Sequence, residues 1–155
     1  MRALTAGERT LKAFPTAEGF GKYASGGRGG KVVTVTNLQD DAEGKTVGSL
    51  RWALNRYPSD FTVVFVVSGT IDLVAPLRCN KQNFTIAGQT APGDGICISK
   101  NKVNLGGSRN FIIRHVRFRV GNQDAGGHQL SANALGAENC TNFIIDHCSF
   151  SWSAV

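Results

Sequence analysis

NFIIRHVRFRV, from Asn110 to Val120, is written again as NFIIDHCSFSW, from Asn142 to Trp152, and a shorter echo, NFTIAGQ, runs from Asn83 to Gln89. The phrases start at Asn83, Asn110 and Asn142, so they recur at 27 and 32 residues. A period in this range, built from β-branched and aromatic residues, marks a chain that winds one supersecondary unit upon the next. Within the longer phrase Phe111 and Ile113 share one strand face, whereas Val116, Phe118 and Val120 have the opposite parity. The alternation therefore slips between Arg114 and His115. It slips at the same register in the last copy, where Phe143 and Ile145 are followed by Cys148, Phe150 and Trp152, with Asp146 and His147 at the break. Two short strands joined by a tight bend, both facing one core, leave this mark.

If the coils stack in parallel, residues one repeat apart become neighbours at a ladder spacing of about 4.8 Å. Asn110 then lies over Asn142, Phe111 over Phe143, His115 over His147 and Arg114 over Asp146. The asparagines and histidines read as a structural ladder of bend residues. Arg114 and Asp146 exchange a cation for an anion at stacked positions, either as a pair or as separate solvated bend residues; an exposed pair contributes only about 0.2–1 kcal/mol.

Around this repeat the chain has 155 residues, enough for one domain with a sizeable core. With 19 glycines, 4 prolines and 9 phenylalanines it favours many short strands and turns. Lys31 to Leu38 alternates as an N-terminal strand. Ser49 to Arg56 reads as a short helix with a capping serine and with Leu50, Ala53 and Leu54 on one side, suited to covering the open end of a stack. Val63 to Val67, the longest apolar run, reads as a buried strand, far short of a membrane span of about 20 residues. Residues 1–13 are expected to be a poorly ordered extension. Their composition is not that of a signal peptide.

Seventeen Lys and Arg against eleven Asp and Glu leave a net charge of +6. This balance suits solubility or an acidic polymer. Nucleic acid is not favoured, because no dense basic run interleaved with aromatics and no recognition motif is present. The four cysteines, Cys79, Cys97, Cys140 and Cys148, have no zinc-type spacing, and a disulfide cannot be read from their positions.

The ordered segments FPTAEGFGKYASGGRGGKVVTVTNL, GSLRWAL, FVVSGTIDL, NFTIAGQTAPGDGI, NFIIRHVRFRVG and ALGAENCTNFIIDHCSFSW cover Phe14 to Trp152. Together they resemble the N-terminal half of a pectate lyase of the polysaccharide lyase family 1 type. The resemblance implies an all-β, right-handed parallel β-helix over residues 14–155, of about three to four coils behind the capping helix. It also implies secretion, calcium as cofactor and β-elimination on polygalacturonate, an acidic polysaccharide, as the reaction. No nucleic-acid or membrane partner is implied. A monomer is expected unless the open C-terminal edge self-associates.

Such chemistry needs a hard dication held by oxygens to stabilise the enolate-like carboxylate formed when carbon 5 of a uronate loses its proton. It also needs a base, which the family supplies as an arginine. Relatives commonly carry two aspartates before Ala-Leu-Gly; this chain has Ala132 and Asn133. Asn133, Glu138 and Asp124 are the metal-ligand candidates, and Arg117 and Arg119 the substrate-binding candidates. No residue is assigned the catalytic role. The chain is expected to be C-terminally truncated and weak or inactive alone. The alternatives are a non-catalytic module that binds acidic polysaccharide, or a fragment without independent function.

Overall fold

The computed structural model describes residues 11–124, 126–129 and 132–153. Strands β1 (Lys31–Val35), β2 (Ser59–Phe65), β5 (Gln82–Ala87), β8 (Arg109–Arg114) and β11 (Thr141–Asp146) form a first parallel wall in the order β1-β2-β5-β8-β11. Strands β3 (Gly69–Asp72), β6 (Ile96–Ser99), β9 (Val116–Arg119) and β12 (Ser149–Ser151) form a second. The two-residue strands β4 (Leu77–Arg78), β7 (Val103–Asn104) and β10 (Leu135–Gly136) form a third. Each coil visits the three walls in turn and pairs in parallel with the next, so the chain is a parallel β-helix.

The bends fall where the parity slips. His115 and His147 have φ of 55° and 51°, in the left-handed region, and each separates a wall-one strand from its wall-two partner. A second left-handed position lies at the start of each wall-one strand after β1, at Asp60, Asn83, Asn110 and Asn142. There the side chains form a continuous ladder. Asn142 Nδ2 donates to Asn110 Oδ1 (3.0 Å), Asn110 Nδ2 to Asn83 Oδ1 (2.8 Å), and Asn83 Nδ2 to Asp60 Oδ1 (3.0 Å). Asp60, an acceptor only, closes the series.

Inside, Phe61, Phe84, Phe111 and Phe143 stack with ring centroids 5.8, 5.1 and 4.8 Å apart, and Phe118 stacks on Phe150 at 5.0 Å. Val63, Ile86, Ile113 and Ile145 stand two residues further along the same strands, in the same core. Identical side chains over one another are what a parallel ladder with one register produces.

The helix α1 (Leu50–Asn55) begins at Ser49, whose Oγ accepts from the Trp52 amide at 3.2 Å, and it buries Leu50, Ala53 and Leu54 as expected. It also buries Arg51, which the apolar pattern does not predict. The Arg51 guanidinium makes a bidentate pair with Asp40 (2.8 and 2.7 Å) and donates to the carbonyls of Ala75 and Pro76 (2.7 and 3.0 Å). Asp40 Oδ2 also accepts from the Val74 amide at 3.0 Å. The helix is thereby tied to the link between the first two walls and the third.

One reading needs adjusting. The run Val63–Val67 is not wholly buried: β2 ends at Phe65, and Val66 is 60% exposed where the chain turns toward wall two. Residues 14–30, rich in glycine, form a strap laid across the outside of wall one. A Cβ on Gly21 would sit 1.8 Å from the Phe143 carbonyl oxygen, and one on Gly27 would sit 1.9 Å from that of Phe61, so only glycine allows this approach. The Gly27 amide donates to Thr85 Oγ1 (3.0 Å), the Ser25 amide to Asn110 Oδ1 (2.9 Å), and the Phe14 ring lies 3.8 Å from the Arg114 guanidinium. The strap also explains why the outward-facing Ile112 is buried. Most of the expected N-terminal extension lies outside the described residues, but the Ala13 amide donates to the Lys22 carbonyl at 2.7 Å.

Candidate functional site

Wall three has the shortest strands, two residues each. Its two-residue strands point Leu77, Val103 and Leu135 inward and leave Arg78, Asn104 and Gly136 as an outward column. Asn133 precedes β10 and is exposed, and Glu138 follows it. One hollow is lined by Lys102, Asn104, Asn133 and Glu138. An adjoining one is lined by Arg78, Asn80, Asn104, Glu138 and Asn139. Asn104 Oδ1 accepts from the Gly106 amide at 2.7 Å, and the Glu138 carbonyl accepts from the Gly107 amide at 2.9 Å, which fixes the turn around the hollows.

The structure brings Asn133 and Glu138 to one hollow but not Asp124. The Asp124 carboxylate is occupied by its own loop: it accepts from the amides of Gly126 (2.8 Å) and His128 (2.9 Å) and lies 3.1 Å from His128 Nδ1. The His128 amide, opposed by desolvation and helped by the His128 ring and the Gly126 amide, holds its carboxyl below the ordinary range. Calcium takes about six to eight oxygen ligands. Among the described residues, wall three offers one carboxylate, Glu138, and the amide oxygen of Asn133, with Asn104 Oδ1 already engaged. These donors alone are fewer than the oxygens a calcium ion takes.

Arg117 and Arg119 lie on β9 of wall two, not on wall three. Arg119 donates to the carbonyl of Ser149 (3.0 Å) and to its Oγ (2.8 Å), so it fastens β9 to the next rung. Arg117 lines a groove at the corner of walls one and two, together with His115, His147, Gln89 and Asp94. Arg114 and Asp146 do form a pair, Nε to Oδ2 at 2.6 Å, each side chain about one-fifth exposed. Partial burial opposes ionisation of Asp146, but hydrogen bonds from His147 and Arg114, with their charges, prevail and hold its carboxyl below the ordinary range. Arg78, Lys102 and Asn104 were not singled out by sequence. Aligning each coil on its inward leucine or valine would have exposed the column.

The three stacked parallel walls define a parallel β-helix. Among solved structures, the crystal structure of Jun a 1, the major allergen from cedar pollen, matches with a TM-score of 0.66 at 24% identity, over 84% of this chain and 41% of that one, a likeness that shows the fold. A protein named probable pectate lyase C from Emericella nidulans is 44% identical over 142 residues, 92% of this chain and 31% of that protein. Its namesake from Aspergillus flavus is 43% identical over the same length. Pectate lyase 1 of Chamaecyparis obtusa is 29% identical over 95% of this chain and 42% of that protein. No protein-family model matches. Over nearly its whole length the chain is similar to these pectate lyases, and it spans 31% of the length of the pectate lyase C relatives it matches.

Proposed function

We propose that wall three is the face on which an acidic polysaccharide, polygalacturonate, lies, and that these 155 residues alone hold it with little or no cleavage. The reaction to which this face contributes is calcium-dependent β-elimination, as in the lyases it resembles, at a secreted location where pectin is met. The observation that supports the reading is the column of Arg78 and Asn104 with Lys102 beside it. Arg78 on one rung and Lys102 beside the next offer cations to uronate carboxylates, and the asparagine amides offer partners to hydroxyls. The short donor set at Asn133 and Glu138 supports weak turnover, because an enolate-like carboxylate without a well-held dication has little to stabilise it.

Polygalacturonate immobilised on a matrix is expected to retain the chain at low salt and release it as salt rises. Arg78→Gln and Lys102→Gln should each weaken retention about two- to fivefold, the loss of one partly exposed ion pair. Unsaturated uronide, followed by the absorbance of its 4,5 double bond, should not accumulate with calcium present. Retention indifferent to both substitutions would overturn the binding face. Abundant chelator-sensitive product would overturn the weak turnover.

A further inference from the structure

The corner between walls one and two carries a second cluster, on a different side of the stack from the polysaccharide face. The corner position on successive rungs is Gly88, His115 and His147, each following the register Ala87, Arg114 and Asp146. A bend in the left-handed region favours glycine, asparagine, aspartate and histidine, and the bend alone does not require an imidazole on two successive rungs. Yet two imidazoles stand face to face there, with centroids 4.7 Å apart and planes 17° from parallel.

The surroundings prepare both rings as ligands. His147 Nδ1 lies 2.8 Å from Asp146 Oδ2, and the same oxygen accepts from Arg114 Nε. With its Nδ1–H committed to a carboxylate, His147 presents Nε2 as a free lone pair, the arrangement typical of a metal-bound histidine. Among the described residues, no hydrogen bond engages the His115 ring. Desolvation, then the nearby charges of His147 and Arg114, lower the His115 pKa from the ordinary imidazole value against the opposing effect of Asp146. The ligand atoms of His115, Asp146 and His147 all lie within 4.8 Å of one another. The groove in front of them, lined by Gln89 and by the opposite charges of Asp94 and Arg117, is open to water that would complete a coordination shell.

We propose that His115 and His147 form a two-imidazole site for a borderline divalent transition ion such as Zn²⁺ or Ni²⁺, with Asp146 orienting His147. The two rings are stacked, so to share one ion, with nitrogens about 2.0–2.1 Å from it, both must rotate out of the stack until their Nε2 lone pairs converge. A hard oxygen-seeking ion such as Ca²⁺ is not served by this pair. The site therefore stands or falls separately from the reading of wall three.

The test is calorimetric titration of the chelator-treated chain with Ni²⁺, alongside the histidine ring resonances recorded with Zn²⁺. One ion per chain is expected, with the His115 and His147 resonances perturbed and excess Ca²⁺ failing to displace it. His115→Asn and His147→Asn, which suit the left-handed bend, should each weaken binding at least about tenfold, as should Asp146→Asn. His128→Asn, in the Asp124 loop, should leave binding unchanged. Absence of binding, binding unaffected by both corner substitutions, displacement by Ca²⁺, or perturbation confined to His128 would overturn the proposal. The ring resonances of the unsubstituted chain decide the matter if a variant fails to fold.

Discussion

Phe111→Ala is expected to destabilise the fold by about 3–5 kcal/mol, the range for emptying a large aromatic site in a core that cannot collapse. Phe111 is fully buried and stacks at 5.1 Å on Phe84 and 4.8 Å on Phe143, so its loss removes both aromatic contacts and leaves a gap between rungs. The backbone on either side is fixed by ladder hydrogen bonds and by the left-handed Asn110, which prevents neighbouring rungs from closing the space. For a domain of typical stability, about 5–15 kcal/mol, this is a large share of the whole. Urea denaturation of the variant should show a much lower midpoint with little change in slope. Phe150→Ala serves as the comparison: that ring is 46% exposed and should cost much less. A loss at Phe111 no larger than that at Phe150 would mean that the stacked rings do not form the core.

Arg51→Met is expected to cost a comparable amount, about 3–5 kcal/mol, by a different route. Methionine fills much of the same volume but leaves the Asp40 carboxylate, whose side chain is only 1% exposed, without its bidentate partner. It also strips the donors from the carbonyls of Ala75 and Pro76. A buried charge that has lost its partner is far more costly than a pair that was never made. Adding Asp40→Asn should therefore recover part of the stability, since the amide oxygen still accepts from Val74 while the charge is gone. Thermal melts of the single and double variants measure this. A single variant within about 0.5 kcal/mol of the parent would place Arg51 among ordinary surface arginines.

The β-helix was legible in the sequence because its repeat writes the same side chains at the same register. Asn110 and Asn142, Phe111 and Phe143, and His115 and His147 meet as stacked neighbours, and the slip at Arg114–His115 marks a true corner. The helix was legible from Ser49 and its apolar side. The Arg51–Asp40 pair was not, because nothing in the spacing of a polar link and a short helix says that both will be enclosed. The strap of residues 14–30 escaped because glycine composition announces a turn equally well as a close approach, and only the neighbouring wall distinguishes them. The candidate site was legible in part. Asn133 and Glu138 do share a hollow, but two-residue strands such as β7 and β10 carry no periodic signal. Arg78 and Lys102 were therefore overlooked, while Arg117 and Arg119 stood out on the repeated phrase and lie on wall two.

The stacking of rungs can be measured in solution from nuclear Overhauser contacts in protein labelled at phenylalanine rings and isoleucine methyls. The parallel register places Phe111 against Phe143, Ile112 beside Ile144 and Ile113 beside Ile145, all in the same order. Contacts for each of these matched pairs are the predicted result. Contacts in reversed order, with Phe111 near Ile145 and Ile113 near Phe143, or none between the two segments, would contradict the β-helix and the wall-three face built upon it.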